Sequence, residues 1–393
     1  MTMIEGIRLG SAAAGIRYRN RDDLVVIEIA AGSAAAAMFT RNRFCAAPVT
    51  VARRHLASRA PRFLVINAGN ANAGTGSAGI AAAEASCRDL ANLEHCAAEE
   101  VLPFSTGVIG AQLPLPKLAA ALPAALADLR AVGWERAARA IMTTDTVPKL
   151  VSRSFEAAGS RYHVAGIAKG AGMIRPDMAT LLSFIATDAP LDQAETRHCL
   201  EYAVARSFHR ITVDGDTSTN DAVALLATGR GLRRAAPAGL LAAANDAIAA
   251  VCTELACAIV RDAEGANKFI TIEVSGGASE ADCLAVAYTI AHSPLVKTAI
   301  FASDPNWGRI IAAVGRSPIA DLAVERVTLR IGEVEVFRYG EPAPTYTEAL
   351  GAAAMSGRDV LLRIDLGMGD AMARVWTSDL SEAYVRINAE YRT

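Results

Sequence analysis

Twelve residues, Lys169-Gly-Ala-Gly-Met-Ile-Arg-Pro-Asp-Met-Ala-Thr180, combine a lysine, an arginine, an aspartate, three backbone punctuators (Gly170, Gly172 and Pro176) and a terminal hydroxyl. Three chemistries suit them. Glycines beside a lysine can cradle an anion, although the spacing matches neither the phosphate-loop pattern nor the dinucleotide fingerprint. The segment can also be a tight loop between two strands, with Thr180 merely starting the second. In the third reading Ala179-Thr180 is a self-cleaving bond, and Thr180 then carries a hydroxyl nucleophile and an α-amine base in one residue. Two other places put hydroxyls where chemistry could use them. Ser105-Thr106-Gly107 interrupts an apolar run. It reads either as a bulge or as a hydroxyl and a backbone N–H aimed at one point, which is what an oxyanion site requires. Met142-Thr-Thr-Asp-Thr-Val-Pro148 follows a helical stretch and is either a helix exit or a substrate-contacting loop, with Thr143 and Thr144 as candidates. Asp214 and Asp216 are close enough in sequence for general-acid or metal chemistry, or for holding a turn.

The elements that must position these residues follow from pattern. Residues 6–30 alternate and then run apolar, predicting a hairpin, and a strand is expected over Ala34–Asn42. Phe63–Ile66 predicts a strand that stops at Asn67, because the Asn- and Gly-rich stretch to Gly76 suits neither sheet nor helix. That stretch is a ligand-meeting loop or a long turn before a helix over Ala78–Leu93. Leu118–Ala140 is helical, with Pro123 expected to open a new helix. His163–Ala168 and Leu181–Ala186 read as short buried strands on either side of the Lys169–Thr180 segment. Asp192 and Glu195 form a capping-box spacing for a helix over Asp192–Arg206. Ile211–Val213 predicts a strand, and Thr217-Ser-Thr219 a cap for a helix over Asn220–Ala227. A long helix over Pro237–Ala263 delivers Glu264-Gly265 to a strand over Lys268–Val274. Asp304–Arg309 opens a helix over Ile310–Val314, and strands follow over Val327–Ile331, Glu335–Arg338, Val360–Asp365 and Ala373–Thr377. Helical and strand stretches in this arrangement predict an α+β fold in layers.

The 393 residues are 52% hydrophobic, with 39 basic and 41 acidic side chains and a formal charge of −2. Two or three structural units are expected. No basic stripe points to nucleic acid, and the alanine-rich stretches are too interrupted to predict a membrane span. The first residues lack a basic region followed by an apolar core, so a cytoplasmic protein is expected. Seven cysteines without a Cys-x-x-Cys pair read as buried small hydrophobes, and the six histidines show no metal-ligand spacing, His198-Cys199 being the nearest approach.

The Lys169–Thr180 segment resembles the signature of the ornithine acetyltransferase (glutamate N-acetyltransferase) family, in which Lys-Gly-x-Gly-Met-Ile-x-Pro-x-Met-Ala-Thr precedes autoproteolysis. The likeness extends in order through Phe39-Thr-Arg-Asn42, Gly69-Asn-Ala-Asn72, Ser105-Thr-Gly107, Met142–Thr146, Asp214–Asp221, Glu264-Gly265, Asp304–Arg309 and Ile387-Asn-Ala-Glu-Tyr-Arg-Thr393. It implies a layered α/β sandwich with mixed sheets, of the DmpA and ornithine-acetyltransferase type, cut between Ala179 and Thr180 into an α chain of residues 1–179 and a β chain of residues 180–393.

The resemblance also implies roles. Thr180 takes the acetyl group of N2-acetylornithine and passes it to glutamate, with no coenzyme, and acetyl-CoA is a possible further donor. Thr106 and Gly107 stabilise the oxyanion. Thr143 and Thr144 bind substrate, Lys169 binds the substrate carboxylate or helps orient the scissile loop, Glu264 pairs with the cationic end of ornithine, and Asn388 and Thr393 close the pocket. Asp214 and Asp216 hold the turn behind the nucleophile, since the family needs no metal. An α2β2 heterotetramer is implied as well. Departures from the family pattern are Arg175, Asp177, Gly74 and Asp262-Ala-Glu-Gly-Ala-Asn267, which flanks Glu264 and bears on amine specificity. Two rival readings are a self-processed amidohydrolase or aminopeptidase, with water as acceptor, and an uncleaved binding homologue.

Overall fold

The computed structural model describes residues 3–157, 159–175, 181–230 and 239–390, which divide into two compact units. The first comprises the chain up to His209 together with Asp216–Ile259; the second comprises Arg210–Gly215 and the chain from Val260 on. In chain order the strands are β1 (Ile7–Ala12), β2 (Leu24–Ile29), β3 (Ala34–Phe39), β4 (Phe63–Asn70), β5 (Val101–Val108), β6 (Lys149–Ala157), β7 (Ser160–Lys169), β8 (Leu182–Thr187), β9 (Ile211–Thr212), β10 (Ala222–Ala227), β11 (Phe269–Gly277), β12 (Thr328–Ile331), β13 (Val334–Arg338), β14 (Glu341–Pro342), β15 (Asp359–Asp365) and β16 (Ala371–Ser378).

The first unit stacks two mixed sheets, ordered β1-β2-β4-β5 and β3-β10-β8-β7-β6. Side chains alternate across a strand, and β2 shows the consequence. Val25, Ile27 and Ile29 join Ile167, Phe184 and Leu226 in the core between the sheets. Leu24 and Val26 face the other way, onto Cys87, Leu90, Leu118 and Leu122 of the helices Gly76–Leu93 and Leu115–Ala127. Phe104 of β5 meets Phe184 of β8 edge-on across the inter-sheet core, with centroids 5.0 Å apart. The outer face of the second sheet carries Gln193–Arg206, whose Asp192–Glu195 capping box forms as its spacing predicts. Leu240–Arg261 lies close over β7, where a Cβ on Gly166 would come within 3.0 Å of Leu255. This 22-residue helix is long and apolar enough to cross a membrane by length and composition, but Ala244, Ile248, Val251, Leu255 and Ile259 are wholly buried.

The second unit is built on one seven-stranded sheet, β14-β13-β12-β15-β11-β16-β9. The strand β11 pairs in parallel with β15 and antiparallel with β16, and the helix Glu280–Ala291 covers them, burying Val286 and Ile290 against Ile270, Ile272 and Val375. Its helices start where short polar side chains cap them: Ser279 accepts from the N–H of Asp282, and Asn306 from that of Arg309.

Four expectations fail for identifiable reasons. Asn220–Ala227 is not a helix: Ala222–Ala227 is the strand β10, set between β3 and β8. All six of its residues are buried, so no face stays polar and the periodicity that separates helix from strand is absent. The strand β4 runs past Ile66 to Asn70, because Asn67 gains buried partners: its amide donates to the Asn70 carbonyl at 2.8 Å and it accepts from Ser105 Oγ at 2.6 Å. Pro123 sits inside Leu115–Ala127, whose first turn already contains Pro116, and the buried Leu118, Leu122 and Ala125 hold the helix across the missing N–H. Of the cysteines, Cys87, Cys199, Cys252 and Cys283 are buried, but Cys45, Cys96 and Cys257 are only partly so. Burial pushes the Cys87 and Cys252 thiols up to about 12, which leaves them inert at neutral pH.

Candidate active site

The site grows from a bulge between β4 and β5. Asn70 is paired with both Thr106 and Val108, so the chain around Gly107 departs from regular pairing. Gly107 has φ +133°, and a Cβ there would lie 2.3 Å from the carbonyl carbon of Gly69 and 2.5 Å from Asn70 N. Only glycine fits. Ser105 is held from two sides, by Asn67 and by the Asn220 amide, which donates to the Ser105 carbonyl at 2.9 Å and to the Ala71 carbonyl at 2.6 Å. Thr106, next in the chain, has its hydroxyl turned to the second sheet, where Lys169 Nζ donates to Thr106 Oγ1 at 3.2 Å.

Lys169 is the last residue of β7 and pairs with Leu182 of β8. Thr180 precedes Leu182 by two positions in sequence. Thr180 and Ala179 lie outside the described residues, as do Asp177 and Thr393. On the near side of that segment, Thr217 Oγ1 donates to the carbonyl of Arg175 at 3.1 Å; on the far side, the Ala222 N–H donates to the Leu181 carbonyl at 3.0 Å.

One buried carboxylate gathers the surrounding pieces. Asp145 Oδ1 accepts from Lys149 Nζ and from the Gly170 N–H, each at 2.7 Å, and Oδ2 accepts from the Thr143 N–H at 3.0 Å. Its side chain and that of Lys149 are 0% and 1% exposed. Burial alone would raise the Asp145 pKa, but the charges of Lys149 and Lys169 and the Gly170 N–H override it and bring it down to about 2. Thr143, half-buried like its neighbour Thr144, is therefore tied through Asp145 to the Lys169-Gly170 corner.

The second unit brings two more expected residues together. Asn388, on the helix Glu382–Glu390, donates to Glu264 Oε2 at 2.9 Å. Gly265 has φ +68°, and a Cβ there would come within 2.4 Å of Tyr384 N, so the Glu264-Gly265 turn lies directly on that helix. Ser381 Oγ donates to the Gly265 carbonyl at 2.6 Å. Asp214 accepts from the Tyr384 hydroxyl at 3.3 Å, a role in holding this corner. Asn267 donates its side chain to the Gly265 carbonyl and to Asp379, which makes it part of the turn. Beneath lies Lys297, whose burial lowers its pKa to about 8 while Asp214 and Asp379 oppose the shift.

Several residues escape sequence reasoning. Asp145 stands among threonines that look more reactive, and its only signal is a lysine four positions on, at Lys149. Asn220 was absorbed into a supposed helix. Conversely, the Asn-rich stretch has internal partners: Asn70 donates to the carbonyls of Ala111 and Gln112, and Asn72 donates to that of Gly79 while accepting from Thr75. These amides support the long-turn reading.

The first unit is a layered α/β sandwich of two mixed sheets, with the Thr106 hydroxyl, Gly107 and Lys169 at neighbouring strand ends. The chain belongs to the ArgJ family, whose model matches residues 8–393. It is 57% identical to the "Arginine biosynthesis bifunctional protein ArgJ" of Methylococcus capsulatus over 99% of this chain and 96% of that one. It is 52% identical to the protein of the same name from Pseudomonas fluorescens, over 99% and 97%. Among solved structures, the arginine biosynthesis bifunctional protein ArgJ of Bacillus halodurans matches with a TM-score of 0.50 at 38% identity, covering 54% of this chain and 100% of that chain.

Proposed function

We propose that the chain is an arginine-biosynthetic acetyltransferase that moves the acetyl group of N2-acetylornithine to glutamate through an ester on Thr180. The observation that carries this reading is the Lys169–Thr106 contact at 3.2 Å, because Lys169 is paired with Leu182, two residues beyond the candidate nucleophile. This supports reading Thr106 and Gly107 as the oxyanion donors for a nucleophile at Thr180.

In the precursor, Thr180 Oγ attacks the Ala179 carbonyl, the peptide shifts to an ester, and water cuts it, giving residues 1–179 and 180–393. The new α-amine, with a pKa of about 8, then accepts the hydroxyl proton as Oγ attacks the acetyl carbonyl of N2-acetylornithine. The Thr106 hydroxyl and the Gly107 N–H stabilise the tetrahedral oxyanion, each donor contributing about 3 kcal/mol in sites of this kind. Ornithine leaves with the proton. The glutamate amine then attacks the acetyl-Thr180 ester, completing a ping-pong cycle that returns the enzyme unchanged. Lys169 takes a substrate carboxylate, Thr143 and Thr144 line the same corner, and Glu264 receives the ornithine ammonium with Asn388 and Thr393 closing over it. The relatives' name includes "bifunctional". Acetyl-CoA charging the same Thr180 is the second activity proposed. An α2β2 assembly in the cytoplasm, without nucleic acid or membrane, completes the reading.

The test is transfer of isotopically labelled acetyl from N2-acetylornithine with and without glutamate. Label should appear in N-acetylglutamate and depend on glutamate. Label released as acetate at the same rate in both reactions would make the protein an amidohydrolase instead.

A further inference from the structure

Resting on the acetyl-transfer reading, we infer that Asp145 and Lys169 form a positioning relay that turns Thr106 into an obligate hydrogen-bond donor. A threonine hydroxyl has one proton and two lone pairs, whereas a lysine ammonium has three donors and no acceptor. The contact at 3.2 Å between Lys169 Nζ and Thr106 Oγ1 therefore runs in one direction while the amine is charged. A lone pair of Thr106 is occupied by the cation, and its own proton is directed away from Lys169. The positive charge on the acceptor side also makes that proton a stronger donor toward a developing oxyanion, since hydrogen bonds in a chain polarise one another.

Asp145 keeps this arrangement in place. It binds the Gly170 N–H, immediately after Lys169, at 2.7 Å, and so fixes the backbone from which Lys169 extends. Its buried negative charge interacts with Lys169 as well as with Lys149. The groups facing it are the Lys149 ammonium, the N–H groups of Thr143 and Gly170, and the Lys169 charge. Lys149 is buried and bonded to Asp145 and the Val147 carbonyl, a structural counter-ion. Lys169 is the half-buried one, at the strand end beside Thr106. A single carboxylate thus ties the loop of Thr143, the end of β7 and, through Lys169, the bulge of β5.

A double-mutant cycle on the cleaved enzyme tests the relay. Acetyl transfer from N2-acetylornithine to glutamate is measured for Lys169→Met, Thr106→Val, Asp145→Asn and the pairs Lys169→Met/Thr106→Val and Asp145→Asn/Lys169→Met. Rates are expressed per chain cut before Thr180, read by intact mass. Thr106→Val, which removes a donor, should lower kcat by about a hundred-fold to a thousand-fold, and Lys169→Met and Asp145→Asn, which act through it, by about ten-fold or more. Both pairs should be no slower than their slower member, because each removes links of one chain. For Thr106→Val and Asp145→Asn, KM for N2-acetylornithine should change far less than kcat; Lys169→Met, which also removes the carboxylate contact, should raise KM as well as lower kcat. Should Asp145→Asn fail to fold, Asp145→Asn/Lys149→Met, which removes the buried ion pair as a unit, takes its place. Losses that multiply in the pairs, or that fall on KM with kcat intact, overturn the relay and leave Lys169 a plain substrate binder. Absence of transfer by the wild type would instead remove the acetyl-transfer reading itself.

Discussion

At the scale of single residues, the candidate site depends on groups whose chemistry is set by burial. Asp145 shows this most clearly, and the sign of its pH dependence follows from its pKa of about 2, below the ordinary aspartate range. A carboxylate depressed in the folded state contributes stability above its unfolded pKa of about 3.9, and that contribution is lost as pH falls through the folded value. Urea titrations between pH 5 and pH 2 should therefore show the wild type losing about 2 kcal/mol more than Asp145→Asn/Lys149→Met across that window. Equal losses would mean that the carboxylate is not held ionised by its partners. Gly107 and Thr106 stand out in the sequence as candidates because a hydroxyl and a glycine are out of place in an apolar run. Asp145 was not, because a lone aspartate carries no pattern; its importance arises from Gly170 and Thr143, which the fold brings to it.

At the scale of elements, position depends on packing across the two sheets of the first unit. Phe104 lies two residues from Thr106 and packs edge-on against Phe184. Phe104→Ala should destabilise the protein by about 3–5 kcal/mol in urea unfolding, and at permissive temperature should lower kcat more than it raises KM. A variant stable to within 1 kcal/mol of the wild type, a threshold set at roughly the size of an average mutational effect, would deny that this contact braces the bulge. In the second unit, Glu264 and Asn388 are joined at 2.9 Å on an exposed corner. Glu264→Gln keeps the shape but removes the charge, and a lost charge-assisted bond of about 1.5–3 kcal/mol predicts a KM for N2-acetylornithine raised ten-fold or more. An unchanged KM would take the ammonium from this residue. Elements with a local signal were readable, such as the Asp192–Glu195 box and the strands that flank Lys169–Thr180. The strand β10 was not, since two buried faces erase alternation, and the polar Thr217-Ser-Thr219 before it imitates a helix cap.

At the scale of the whole molecule, the expected cut and the folding units follow different boundaries. The bond between Ala179 and Thr180 joins β7 to β8, two strands that remain paired through Lys169↔Leu182 to Val164↔Thr187. On the expected division, the sheet β3-β10-β8-β7-β6 would draw strands from both products. Cleavage should therefore leave the two fragments together under native conditions and release them only on denaturation. No compositional feature indicates such a cut; it rests on the twelve residues ending in Thr180 and on the order of motifs along the chain.

The most direct measurement is the intact mass of the purified protein, denatured after brief incubation with N2-acetylornithine alone, and again after glutamate is added. Two species should be seen, residues 1–179 and residues 180–393, the second carrying one acetyl group that disappears with glutamate. A single uncut chain still able to transfer acetyl, or two fragments of which the one beginning at Thr180 never gains the group, would contradict a self-processed threonine as the acetyl carrier.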